Sequence, residues 1–305
     1  MSQKVIEFEP LAPFDLELSC LVFADGDKRV RCFQEGGFSQ VVCTDEGLVL
    51  IRVVSVGCVD KPRLRVELCG EGFLSERCVD QAVGVVKRVF SLDLSLLSFY
   101  DFVYEDRVMS QVVQRLCGFK FPVTPLVFEA IVDAIVEQQI SIKVARSVED
   151  KLAVLFGESI SVGGELFFAF PTAKALVDAG AEAVKRAGLS GRKAEYICGL
   201  AELVVRGVLD FDKMMKHGLD EIILELDKIR GVGVWTAELS VLRGFGRFDV
   251  FPADDFGLRR VISRYYCGGR VIDAIEARLV AERWGRWKGL AAFYLIAAEA
   301  LNLEF

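Results

Sequence analysis

Hydrophobic and polar positions change rhythm once along the chain. As far as about residue 90 the apolar residues come in short β-branched runs, Gln40 to Cys43, Val49 to Val56 and Arg63 to Leu68, separated by the turn-forming segments DEG, GCVDKP and CGEG. Such runs predict a small antiparallel sheet, with a helix near Val79 to Phe90. Beyond it the apolar positions recur with the period of a helix. Thr124-Pro125 places a capping hydroxyl before a proline at the first helical position, and Phe128, Ile131 and Ile135 follow on one face of a helix running towards Ser141. Further helices are predicted over Ser141 to Phe156, Thr172 to Ala179, Arg192 to Val205, Leu219 to Ile229, Val234 to Arg243, Asp254 to Tyr265, Ile272 to Trp284 and Trp287 to Asn302. The expected architecture is an α+β N-terminal domain over residues 1–90 followed by an all-α domain over residues 91–305.

Composition agrees with two folded cores. The 305 residues are 52% hydrophobic and 27% charged, which excludes a disordered chain. The nine cysteines stand singly, with no C-x-x-C pair, and read as reduced thiols of a cytoplasmic protein. No apolar leader opens the sequence, and the longest small or apolar run, Gly289 to Ala298, is far short of the ~18 residues of a membrane span. A soluble, unexported protein is expected.

His217 is the only histidine, and its surroundings, DKMMKHGLDE, offer no nucleophile; a surface position between helices is expected. Hydrolytic triads and histidine-based zinc sites are thereby excluded. Neither G-x-x-x-x-G-K-[ST] nor G-x-G-x-x-G is present, so no nucleotide cofactor is expected. The net charge of −7 argues against nucleic acid as a partner. Yet Arg230 to Arg270 holds seven arginines against four acids.

That region contains LDKIRGVGVWTAE, Leu226 to Glu238. An apolar helix meets a Gly231-Val232-Gly233 turn, and a second helix starts at once. The free amides at its start would point outward with partial positive charge, a site for phosphate. An ordinary αα-hairpin with a glycine turn is the plain alternative. Some twenty residues on, FDVFPADDFGLRR places Asp254 and Asp255 at another helix start. Both could be mere caps; a carboxylate beside a phosphate clamp can also oppose a developing sugar cation or activate water.

With the closing ERWGRWKGLAAFYLIAAEAL, these segments resemble the helix-hairpin-helix DNA glycosylase superfamily, and within it the 3-methyladenine DNA glycosylase II (AlkA) family. PFDLELSCLVF, VFEAIVDAIVEQQIS and AGLSGRKAEYI extend the resemblance over most of the chain. It implies a monofunctional enzyme of base excision repair that flips an alkylated base from double-stranded DNA and hydrolyses its N-glycosidic bond. The catalytic carboxylate falls on Asp255, leaving Asp254 as the helix cap. The base pocket would involve Trp235, Phe128 and Tyr294. DNA would be held by Gly231, Val232, Gly233, Val234 and Thr236 of the hairpin with Gln138 and Gln139, the latter plugging the gap left by the flipped base. Trp235 stands where bifunctional relatives carry a lysine nucleophile, and the iron–sulfur cysteines of another branch are absent. Ile296 replaces a pocket tryptophan; Trp284 and Trp287 could line the pocket or anchor the core. Lys143 and Arg146 either reach phosphates or form an exposed face. The resemblance implies no metal in the chemistry, although such hairpins often hold a monovalent cation on their carbonyls. A monomer is expected, cytoplasmic or nucleoid-associated.

Three other readings remain at this point: a glycosylase for oxidised or deaminated bases, a non-catalytic hairpin clamp, and a structural protein. The Asp255 segment speaks against a pure clamp, and the hairpin against a purely structural protein.

Overall fold

The computed structural model describes residues 1–305. Strands β1 (Ser2–Phe8), β2 (Arg31–Gln34), β3 (Gly37–Thr44), β4 (Gly47–Ser55) and β5 (Leu64–Gly70) form an antiparallel sheet in the order β1-β5-β4-β3-β2. Alternation puts Val49, Ile51 and Val53 of β4 and Leu64, Val66 and Leu68 of β5 on one buried face. That face packs against helix α2 (Glu76–Val89), through Ala82, Val86 and Val89, and against Phe14 and Phe90 beside the short helix α1 (Leu16–Cys20). The Ser75 hydroxyl caps α2 by accepting from Cys78 N at 3.1 Å, and Lys87 and Arg88 sit in its last turn, where the helix dipole favours cations.

Short helices α3 (Leu97–Phe102) and α4 (Met109–Arg115) lead to α5 (Val127–Glu137) and α6 (Ile142–Phe156). Then come α7 (Ala173–Ala179), α8 (Ala181–Val184), α9 (Gly191–Val205), α10 (Phe211–Met214), α11 (Leu219–Asp227), α12 (Val234–Ser240), α13 (Phe256–Tyr266), α14 (Ala274–Ala281) and α15 (Lys288–Ala300). One hydrophobic core running from Leu96 to Ala298 joins them, with α5 buried on nearly every side at its centre. Trp284 and Trp287 belong to this core. The Trp284 indole N–H donates to Asp106 Oδ2 at 3.1 Å, and Trp287 packs on Phe99.

The sheet followed by helices agrees with the expected fold class. Two local expectations differ. Strands β6 (Ser159–Val162) and β7 (Glu165–Phe168) form a hairpin inside the helical part, and it packs through Ile160 against Val41 of β3. The first turn of α5 starts at Val127, not Pro125: the Thr124 hydroxyl donates to the Leu126 and Arg243 carbonyls instead of capping a helix.

Candidate active site

Ile222 and Leu226 anchor α11 in the core, and Ile229 and Val232 close the turn beneath it, with Val232 N donating to Ile229 O at 2.9 Å. The two glycines of the turn have different causes. Gly231 has φ +91°, and a Cβ there would lie 2.2 Å from the Tyr196 ring, so the inner packing of α9 demands glycine. Gly233 has ordinary extended backbone and nothing within 4 Å of a Cβ. Its bareness serves the outside. No side chain caps α12, so the amides of its first turn face the open space above Gly233.

The Gln138 side-chain amide donates to Gly231 O and to Thr236 Oγ1, both at 2.9 Å, and ties the hairpin to the end of α5. The side chains of Gln138, Val232 and Thr236 are therefore engaged internally, and the hairpin offers an outside partner its backbone, together with the exposed Val234. Lys193 Nζ caps α5 from the other side, donating to Val136 O at 2.8 Å and Gln138 O at 2.5 Å. The chain then turns at Gln139, exposed and with φ +59°, a conformation costing about 1 kcal/mol or more for a residue other than glycine. Ser141 restarts the chain as the cap of α6, and the exposed Ile140 and Ile142 flank the apex.

At the start of α13 the roles expected of the two acids change. Asp255, not Asp254, is the cap: its φ/ψ is extended and its Oδ1 accepts from Leu258 N at 2.8 Å. The helix begins at Phe256 against an expected start at Asp254, and the capping position falls on Asp255. Asp254 is exposed beside Ala274 and Arg278 of α14. The cap uses one oxygen of Asp255 and holds the carboxylate in a fixed direction. A Cβ at Gly257 would sit 3.1 Å from Asp255 Oδ1 and 3.9 Å from Ile296 Cδ1, so the carboxylate and Ile296 crowd the same glycine.

Ile296 lies in the wall of a cavity of about 210 Å³ between the sheet domain and the helices, whose rim includes Ile142 and Arg146, just past the Gln139 apex. Phe23, Phe121 and Phe170 supply its aromatic surface. None of the three expected pocket residues lines it. Tyr294 is fully buried, its hydroxyl donating to Phe119 O at 2.7 Å and meeting the Tyr100 hydroxyl at 2.9 Å, so it belongs to the core. Phe128 is buried behind Phe170, edge-on to its ring. Trp235 is half-buried on the hairpin helix, with an enclosed indole N–H that meets no acceptor.

Buried charge, which the sequence reading missed, dominates the cavity wall. Arg31 pairs with Glu129, and Arg243 with Glu137 at 2.5 Å. Asp133 and Glu149 complete the wall without an ion-pair partner. Burial, reinforced by Glu149 and Glu129, holds the Asp133 carboxyl well above the usual carboxylate range. Burial, with Glu137, pushes Glu149 up to about 8. A signal was available: Glu129, Asp133 and Glu137 stand at i, i+4 and i+8 of an otherwise apolar helix, and so form one stripe. His217 also has company, its Nδ1 lying 3.2 Å from Glu225 Oε1 and 3.8 Å from Glu221 Oε1. No helix is long and apolar enough to cross a membrane.

Residues 132–286 match the family described as "HhH-GPD superfamily base excision DNA repair protein". A DNA-3-methyladenine glycosylase of Bacillus subtilis is 29% identical over 216 residues, 71% of each chain. The solved structure of a 3-methyladenine DNA-glycosylase from Archaeoglobus fulgidus superposes with a TM-score of 0.87 at 28% identity, covering 98% of this chain and all of the other. An 8-oxoguanine glycosylase/lyase from Clostridium acetobutylicum shares the fold, with a TM-score of 0.78 at 17% identity over 98% and 99% of the two chains.

Proposed function

Because the chain belongs to the HhH-GPD superfamily of base excision DNA repair proteins, we propose that it is a monofunctional DNA glycosylase that turns an alkylated base of the 3-methyladenine type out of duplex DNA and hydrolyses its N-glycosidic bond. The observation that carries this reading is Asp255: a carboxylate aimed by its own helix, with Oδ2 uncommitted, crowding the same glycine as Ile296 of the cavity wall and on the same domain as a phosphate-ready hairpin.

The chemistry follows from charge. An N-alkylated purine carries positive charge and is a good leaving group, so the protein must chiefly stabilise the sugar that remains. Asp255 Oδ2 opposes the oxocarbenium-like sugar and orients the water that captures it. The α12 amides grip a phosphate near the lesion, and Gln139, already displayed on its apex, enters the duplex as the base leaves. Trp235 follows the hairpin where an amine would be needed for a Schiff base, so the product is an intact abasic strand. A monovalent cation on the hairpin would fit the second lone pairs of the Ile229 and Gly231 carbonyls, each of which already accepts one hydrogen bond. It would help neutralise the phosphate there. The protein is proposed to act as a monomer on cytoplasmic or nucleoid DNA.

Duplexes carrying a single 7-methylguanine or 3-methyladenine provide the test. Free base should appear, and the strand should break only after subsequent alkali. Absence of base release from every alkylated duplex, or a strand cut before alkali, would overturn the reading.

A further inference from the structure

His217 has no partner among its immediate neighbours in the chain, but the helix that follows returns two. Glu221 and Glu225 of α11 stand four and eight residues on, about one and two turns along the same face. His217 Nδ1 lies 3.2 Å from Glu225 Oε1 and 3.8 Å from Glu221 Oε1, and the three ligand atoms all fall within 4.8 Å of one another. Tetrahedral ligands held at ~2.0–2.1 Å from one ion are themselves about 3.3 Å apart. An ion at the centre of this triangle therefore asks only a small closure of the two glutamates.

Two further observations point inward to such an ion. Nδ1 is enclosed and hydrogen-bonds to nothing, although the rest of the ring is partly open. A ring nitrogen left enclosed without a partner is costly unless something takes its lone pair. The carboxylates lack a cation as well: neither Glu221 nor Glu225 has a lysine or arginine within ion-pair reach, whereas Glu195 and Glu276 each hold an arginine. Two like charges beside one imidazole repel, and a divalent cation relieves both.

We propose that His217, Glu221 and Glu225 bind one divalent transition-metal ion, zinc being the best match, with water in the remaining position. One imidazole nitrogen and two carboxylate oxygens favour such an ion over calcium or magnesium, which take oxygen ligands. The half-open setting of the glutamates makes the ion exchangeable. Its role is structural. It ties the turn after α10 to the outer face of α11, whose inner face Ile222 and Leu226 anchor, and so stiffens the first helix of the hairpin. The site is separate from Asp255 and stands whether or not the protein excises alkylated bases.

Zinc titrated into the chelator-treated protein, followed by calorimetry and by melting, tests the proposal. One equivalent should bind to this cluster and raise the melting temperature by about 2–5 °C at saturation, and calcium and magnesium should bind at least about tenfold more weakly. The exposed thiols of Cys43 and Cys58 can also take zinc, and variants separate the two sources. His217→Asn, Glu221→Gln and Glu225→Gln should each weaken the binding at least about tenfold and abolish the rise in melting temperature. Glu221 is 59% exposed, so its variant folds whatever becomes of the other two. No saturable binding, an affinity unchanged in Glu221→Gln, or calcium held as tightly as zinc would overturn the proposal.

Discussion

Asparagine at position 255 keeps the shape of the carboxylate and its capping oxygen but not its charge. Asn caps helices as well as Asp, so Asp255→Asn should melt within a few degrees of the parent protein. Removing one electrostatic stabiliser in other enzymes lowers the rate ~100–1000-fold, and a loss of that order in single-turnover excision is expected here. Asp254→Asn, at an exposed position, should retain both stability and rate. An active Asp255→Asn protein would remove the carboxylate from the mechanism. The acidic pair was legible in the sequence because Pro252 and the two acids announce a helix start. The division of labour was not. Neighbouring side chains point about 100° apart on a helix, which invites separate jobs for separate residues. A carboxylate has two oxygens, however, and Asp255 engages only Oδ1 in the cap.

Within single elements the two hairpin glycines separate folding from binding. Gly231→Ala must place a methyl in the Tyr196 ring at a backbone angle alanine rarely adopts, and should destabilise by at least ~1–3 kcal/mol. Gly233→Ala meets nothing inside the protein; its methyl stands where the phosphate must approach, so melting should be unchanged and duplex affinity lowered. Equal melting losses in both would remove this distinction. The G-V-G spelling announced a tight turn but not which glycine faced inward, because Tyr196 lies far away in sequence. The same limit hid the β6–β7 hairpin, whose four-residue strands are stabilised by the β3–β4 face. Helices α5 and α6 carry a pH signature as well. Glu149 binds its proton more tightly in the folded chain, near 8, than at its ordinary 4.5. Its stabilising effect is thus complete below about pH 4.5 and lost as pH rises to 8, on the order of a few kcal/mol. Glu149→Gln should flatten that part of the stability curve, and a variant with the parent slope in denaturant titrations at pH 5 and 8 would assign the slope to other groups.

Across the whole molecule, a net charge of −7 must be reconciled with a polyanionic partner. The arginine-rich stretch from Arg230 to Arg270 promised a basic patch, but folding pairs most of it: Arg230 with Glu195, Arg243 with Glu137, Arg247 with Asp249, Arg260 with Glu299 and Arg270 with Glu276. Affinity should therefore rest more on hairpin amides than on free cations. The pairs are not equivalent. Arg243 is enclosed and bound at 2.5 Å, so its loss would leave Glu137 unpaired and damage the fold. Arg230, beside the hairpin, is 78% exposed and so is much of Glu195; such a pair is worth at most about 1 kcal/mol and can open for a phosphate. Each neutralised phosphate contributes a slope of ~0.9 to the fall of log affinity with log salt. A total slope of ~2–3 is expected, well below that of a protein gripping ~6–10 phosphates. Arg230→Ala should reduce it by about 1 without changing the melting temperature. An unchanged slope in that variant would mean that Arg230 keeps Glu195 on DNA, and that the hairpin binds by its backbone alone.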